Sequence, residues 1–233
     1  MSYIVGIDGC PSAWFAILLD TITKKTQFEV VTDLSAFYDR HQPIAVGIDI
    51  PIGLTDSGPR ECDAVARRLL KPRGSCVFPA PIRPALSTFD RASAHAISFS
   101  VQGKGVAAQA FGIYPKVREV DELLQARPEL RDVFNEVHPE LSFCAWNEDQ
   151  VVSYPKKTAQ GFMQRLGLVQ GEFGEAAFEA PRAMFTRKRV SDDDILDAYA
   201  ALWTAIRIRD GRARRCPEEQ VLDSAGLPMV IWY

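Results

Sequence analysis

Two stretches of the chain, Tyr3–Asp8 and Ile44–Asp49, are apolar throughout and end on an acid. Apolar runs of this length without polar alternation predict strands covered on both faces. Each delivers a carboxylate at its C-terminal end. Between them, Ala13–Asp20 and Thr26–Thr32 carry β-branched and aromatic residues and predict two further strands. Asp8–Ser12, rich in breakers, predicts the first turn. Asp33 is a candidate N-cap for a helix over Leu34–Arg40. Short turns make the first three strands an antiparallel meander. The helix before Ile44 allows a parallel crossover beside the first strand, which would bring Asp8 and Asp49 to one sheet edge.

Residues from about 52 to 130 are broken by Pro59, Pro72, Pro79, Pro81, Pro84 and Pro115 and predict a largely helical insertion. Helical pieces are expected over Arg60–Leu70, Ser87–Val101, Ala107–Phe111 and Val117–Leu124. Val133–His138 predicts a fifth strand, Thr158–Leu166 and Gln170–Ala180 helices, and Met229–Trp232 a short terminal strand. The best-marked helix is Asp192–Arg209, with Ser191 as N-cap and Asp194 at the third position. It is apolar nearly all round, through Ile195, Leu196, Tyr199, Leu202, Trp203 and Ile206, which predicts burial against the sheet. No repeat, linker or low-complexity tract divides the chain, so residues 1–233 are expected to form one domain.

Within that last helix, Asp194 and Asp197 lie three apart and share a face. Carboxylates gathered from distant segments repel one another unless a cation sits among them. Asp8, Asp49, Asp194 and Asp197 therefore predict a divalent-metal site, and with it phosphoryl-transfer chemistry. Helix-dipole attraction of ~0.3–1 kcal/mol explains one or two acids among Asp192, Asp193 and Asp194. It does not explain Asp197, one turn further in, where an unpaired carboxylate would cost several kcal/mol. Asp197 needs a partner, a metal first and an arginine second. Asp193 and Asp194 are interchangeable candidates, and Asp8 and Asp49 also suit simple turns. Glu136 is a further candidate acid, or one member of a satisfied network at the end of its strand. His138 is either a proton-transfer group or structural.

The chain has 233 residues, 47% apolar and 24% charged, and a formal net charge of −3. That balance is ordinary for a globular protein and gives no broad positive field for nonspecific duplex binding. A local basic groove is compatible with it. Arg60, Arg67, Lys71 and Arg73 cluster in the insertion, and Lys116 and Arg118 follow Pro115. These are the candidate phosphate-binding cations, set against the commoner reading of a solvated helix face. Lys156, Lys157 and Arg187–Arg189 are weaker candidates. Trp14, Trp146, Trp203 and Trp232 read as core or sheet-edge residues. Five scattered cysteines without a Cys-x-x-Cys pair predict reduced thiols and a cytoplasmic setting. The first residues lack the basic region of a signal peptide, and no apolar run nears the ~20 residues of a membrane helix.

Three antiparallel strands, a helix, a strand, and then helix–strand alternation resemble the ribonuclease H-like order. The segment Asp194–Ala200 is similar to the last helix of RuvC-type resolvases, where two acids three apart precede small and apolar residues. The chain further resembles domain-of-unknown-function family 429, whose members are predicted to be ribonuclease H-like nucleases. The resemblance runs through Gly6–Pro11, Asp49–Leu54, Arg60–Asp63, Val77–Pro81, Pro115–Asp121, Glu136–Glu140, Lys156–Thr158 and Asp193–Ala198. It implies an α/β fold of ribonuclease H-like type: a mixed sheet with helices on both faces. It also implies a nuclease acting on DNA or RNA with Mg²⁺ or Mn²⁺. In that reading Asp8 bridges two ions roughly 3.5–4 Å apart. Asp49, Asp194 and Asp197 complete the shells, and Glu136 is a fifth acid or orients water. Two rival readings stay open. One is an ATP-dependent phosphotransferase of the actin-like and sugar-kinase superfamily, whose first strand also ends in Asp-Gly. The other is a non-catalytic nucleic-acid- or partner-binding protein.

Overall fold

The computed structural model describes residues 2–233. In chain order the elements are β1 (Tyr3–Cys10), β2 (Ala13–Asp20), β3 (Thr26–Val31), α1 (Leu34–His41), β4 (Ala45–Ile48), α2 (Glu61–Leu69), α3 (Arg83–Leu86), α4 (Arg91–Gln102), α5 (Ala108–Phe111), α6 (Tyr114–Ala126), β5 (Phe134–Glu136), α7 (Pro139–Trp146), α8 (Ala159–Phe173), α9 (Ala176–Met184), α10 (Asp192–Arg209), β6 (Arg215–Cys216) and β7 (Ile231–Trp232). Five strands form a mixed sheet in the order β3-β2-β1-β4-β5. β1 pairs antiparallel with β2, and β2 with β3, while β4 runs parallel to both β1 and β5. β6 and β7 form a separate antiparallel pair.

Period-2 alternation divides the strands between two cores. Tyr3, Val5 and Ile7 of β1, with Val46 and Ile48 of β4, face a cluster that includes Leu34 and Phe37 of α1 and Val117, Val120 and Leu124 of α6. Ile4, Phe15, Ile17 and Ala45 face the opposite cluster, built on α10 with Val169 of α8 and Phe178 of α9. A third cluster joins Cys62 and Ala66 of α2, Leu141 of α7, and Cys216 and Ile231 of the small sheet.

Helix α10 is held by sequence at both ends. Ser191 caps it and forms a reciprocal capping box with Asp194, and Arg207 and Arg209 close its last turn against the helix dipole. From Ile195 to Ala205 every residue is buried. The helix lies so close to the sheet that a Cβ on Gly6 would overlap the Ala198 carbonyl oxygen and the Leu202 amide nitrogen, with Leu202 Cα at 2.7 Å. A Cβ on Gly47 would overlap the Ala201 carbonyl oxygen and stand 3.1 Å from Val137 Cγ2. The two glycines are what allow α10 to dock.

Several predicted boundaries move. β1 continues two residues past Asp8 to Cys10, because the Asp8–Phe15 and Cys10–Ala13 pairs extend the ladder and leave a turn at Pro11 and Ser12. The piece expected over Ser87–Val101 is α4, which starts only at Arg91 with Asp90 as its cap, and the one-turn α3 precedes it. Helix α7 lies where only the end of a strand was expected. Pro139 sits at its start, where the missing amide proton costs nothing. Helix α8 runs through Gly167 and Gly171, both in open space, and stops at Gly174 with φ 91°. The five cysteines are free, four of them buried. Among the described residues no helix is long and apolar enough to cross a membrane.

Candidate functional site

Strand parity delivers the acids. On β1, Gly6 and Asp8 point to the α10 side, and on β4 Gly47 and the following Asp49 do the same. The parallel register sets Ile7 opposite Ile48, so Asp8 and Asp49 lie on neighbouring strands at one edge; the Asp49 amide donates to the Ile7 carbonyl at 3.0 Å. Because the glycines admit α10 so closely, Asp197 in its second turn comes down between them. Asp8 and Asp197 are 8% and 3% exposed.

These three carboxyls feel one another. Asp8 is held well above the usual carboxylate range, first by burial and then by the charges of Asp49, Asp197 and Asp194, with Lys156 opposing. Asp49 is pushed up to about 8 by burial and by Asp197, again against Lys156. Asp197 is raised by burial, with Lys156 pulling the other way. Hydrogen bonding relieves little of this. Asp8 accepts 2.7 Å from the Gly9 amide, and among the described residues the Asp49 carboxylate has no hydrogen-bond partner.

The cation among these acids is Lys156, whose Nζ donates to Asp197 Oδ2 at 2.6 Å. The charge of Asp197 is the main reason its ammonium holds its proton more tightly than usual. Lys156 lies in the turn before α8, and two arginines fix that turn, Arg165 buried and Arg73 half-buried. Arg165 donates to the Tyr154 carbonyl at 3.2 Å and grips both Glu140 oxygens at 2.7 Å. Arg73 donates to the Val152 carbonyl at 2.9 Å and also reaches the Tyr154 carbonyl. Thr158 then caps the helix through the Gly161 amide at 3.1 Å.

Asp49, Asp197 and Lys156 form one end of a cavity of about 270 Å³. Its polar walls are Arg60, Asp63, Arg73, Glu136, His138 and Glu140, and Val77, Phe78 and Ile231 are among its apolar ones. His138 presents a ring whose sheltered Nδ1 has no partner, and burial pushes its imidazole below the ordinary value.

The remaining candidates fall elsewhere. Asp194 spends both oxygens on Ser191, at 2.7 Å to its amide and 2.7 Å to its hydroxyl, and reaches Asp8 only through its charge. Glu136 pairs in register with Ile48 and so points to the sheet face opposite Asp8. Its oxygens are taken by Arg60 at 2.7 Å twice and by the Ile52 amide at 2.6 Å, which is the satisfied network foreseen as the alternative. Burial still pushes Glu136 up to about 7, with Arg60 opposing.

Of the candidate phosphate-binding cations, Arg60 lies buried between Glu136 and Asp63, and both its terminal nitrogens are engaged by the two acids and the Ile52 and Gly53 carbonyls, with Nε left unpaired. Arg67 donates to the Val77 carbonyl and Arg118 to the Leu86 and Thr88 carbonyls, so both serve as braces of the insertion. Lys71 is exposed, outside the cavity's walls. Arg73 does line the cavity. Lys116 packs over the Trp14 ring at 4.5 Å, donates to the Ala13 carbonyl and feels the charges of Asp8 and Asp194.

The edge of this mixed α/β sheet thus holds a buried acid cluster with one lysine inside it, on a fold whose helices cover both sheet faces. The chain belongs to the family described as protein of unknown function (DUF429), whose model matches residues 6–221. No curated protein and no solved structure matches it.

Proposed function

We propose that the chain is a divalent-metal-dependent hydrolase of phosphodiester bonds in nucleic acid, built on a ribonuclease H-like fold. Support for the fold assignment comes from the order of elements: an antiparallel β1-β2-β3 meander, then β4 and β5 added in parallel on the other side of β1, with α10 bringing acids to the same edge. One observation carries the function. Asp8, Asp49 and Asp197 arrive from three separate elements, burial raises all three proton affinities, and the charge of neighbouring acids raises each of them further.

The donor set suits Mg²⁺ or Mn²⁺. All three side chains offer hard oxygen ligands, each with at least one oxygen free of protein hydrogen bonds among the described residues, and together they outweigh the one ammonium among them. Among the described residues no three such side chains already stand in a geometry able to hold an ion, so the fit is one of donor type and charge. A bound divalent ion supplies Lewis-acid activation of water and neutralises phosphate charge. The chain's own residues do the rest. The acids hold the reacting phosphate's counter-charge at a fixed point of a rigid sheet, and Lys156 orients Asp197. Arg73 lies on the cavity wall, where a guanidinium can meet a phosphate oxygen. Phe78, 51% exposed at the same wall, offers a face for a base.

The test is cleavage of a panel of single-stranded and branched DNA and RNA by the purified chain with Mn²⁺ or Mg²⁺. Asp8→Asn and Asp197→Asn are expected to lose metal-dependent cleavage by at least about a hundredfold while keeping a native far-UV spectrum. Cleavage by either variant at the wild-type rate would refute the assignment.

A further inference from the structure

The number of acids facing one another and the cation already among them do not balance. Fully ionised, as metal ligands are, Asp8, Asp49 and Asp197 bring three negative charges to the sheet edge, and Lys156 returns one positive charge at 2.6 Å from Asp197. Asp194 adds a further acid and Lys116 a further ammonium beside Asp8, and Glu140, whose charge also reaches Asp49 and Asp197, is clamped by Arg165, so neither pair changes the difference; Asp193 reaches Asp197 from the half-exposed first turn of α10, where water screens it. The surplus is two negative charges, the charge of one divalent ion. Two such ions would leave the site, before any phosphate binds, with an excess of two positive charges beside the buried Ile50, an arrangement that burial disfavours.

We propose that Lys156 is the second cation of this centre, so that the chain takes up one divalent ion where the acids alone would take two. The inference rests on the metal-site reading above and narrows the two-ion expectation drawn from the sequence. Lys156 is a built feature of the site. Its turn is fixed from below by Arg165, itself clamped on Glu140 at 2.7 Å, and from the side by Arg73. A Cβ on Gly161 would overlap the Pro155 carbonyl oxygen, so the start of α8 also presses directly on the residue before Lys156. Three separate contacts on the turn, one of them from a clamped arginine, therefore aim one ammonium at Asp197. Its side chain keeps 39% of its surface exposed, so the ammonium is reachable from the cavity mouth as well as from the acids. The role assigned to Lys156 is charge compensation and positioning of Asp197.

The experiment counts ions. The metal-stripped full chain is titrated with Mn²⁺ alone, without nucleic acid, and bound ion is read from loss of the free Mn²⁺ signal by electron paramagnetic resonance. Weak surface binding is subtracted with the Asp8→Asn/Asp197→Asn double variant. Wild type is expected to bind one Mn²⁺ per chain, Lys156→Met two, and Lys156→Arg one, since a guanidinium keeps the charge. Two ions bound by wild type would overturn the proposal and leave the metal-site reading intact. So would a Lys156→Met chain that still binds one ion with unchanged affinity. No ion bound by wild type would overturn the metal-site reading and this proposal with it. The wild-type count alone decides between one ion and two, whatever the stability of the variants.

Discussion

Replacing Asp49 with Asn should stabilise the metal-free protein, and more so as the pH rises. The folded carboxyl is pushed up to about 8, first by burial and then by Asp197. In the unfolded chain the same group ionises near pH 4. Between those two values the folded state holds a proton that the unfolded state has released. Stability contributed by such a group is therefore complete below about pH 4 and is lost as pH rises toward 8, by at most about 1.4 kcal/mol per pH unit. Asp49 remains partly exposed and shares its titration with Asp8 and Asp197, so the total lost between pH 5 and 8 is on the order of 1–3 kcal/mol. Asn has no proton to lose. Urea unfolding in EDTA at pH 5, 6.5 and 8 should show the Asp49→Asn chain pulling ahead of wild type by that amount at pH 8. At about 2–4 °C per kcal/mol for a chain of this size, melting temperatures should separate by roughly 2–12 °C. Mn²⁺ at a hundred times its dissociation constant should then restore about 2.7 kcal/mol to wild type and much less to the variant. Parallel wild-type and variant profiles from pH 5 to 8, or a variant less stable at pH 8, would refute the reasoning that these buried acids crowd one another beyond what Lys156 compensates.

Other substitutions probe the supports of the site. Gly6→Ala should cost about 1–3 kcal/mol or more in urea unfolding, because its methyl group meets α10 backbone that cannot rotate away. The same variant should weaken Mn²⁺ binding by moving Asp197 off Asp8, so an unchanged Mn²⁺ affinity would contradict the role given to this contact. Arg60→Met should cost about 3–5 kcal/mol, since it strands Glu136 and Asp63 as buried unpaired acids. Adding Glu136→Leu to Arg60→Met should recover part of that loss, and a double-mutant cycle in urea measures how much.

The Gly-Ile-Asp repeat at residues 6–8 and 47–49 made half of the site legible. It signals a covered strand and an acid, and both acids are where the pattern places them. The meaning of its glycines was also in the sequence, since residues two apart share a face, so a side-chain-free position beside each acid marks where a helix comes close. The same parity separates Glu136 from the cluster. Val46 and Phe134 pair, Ile48 and Glu136 pair, and that face is not the one carrying Asp8. Asp197 was legible through energetics, because a carboxylate in a helix buried all round must have a partner. That partner proves to be Lys156, reached through a turn whose shape is set by Arg165, Arg73 and Glu140, none of them close to it in a repeating pattern. Helix periodicity and strand alternation say nothing about such a turn. Arg60 shows the converse. It read as one of a row of surface charges, but its two acidic partners lie 3 and 76 residues away, and only the folded chain brings the second to it. Helix α7 had a start signal in Pro139 that was outweighed by the strand-like residues before it.

The most direct test of the central claim is an anomalous difference map from a crystal of the wild-type chain soaked in Mn²⁺. The account predicts a peak bounded by the carboxylates of Asp8, Asp49 and Asp197, with the Lys156 ammonium still on the Asp197 side. A map with Mn²⁺ peaks elsewhere on the molecule and none among those three acids would contradict it.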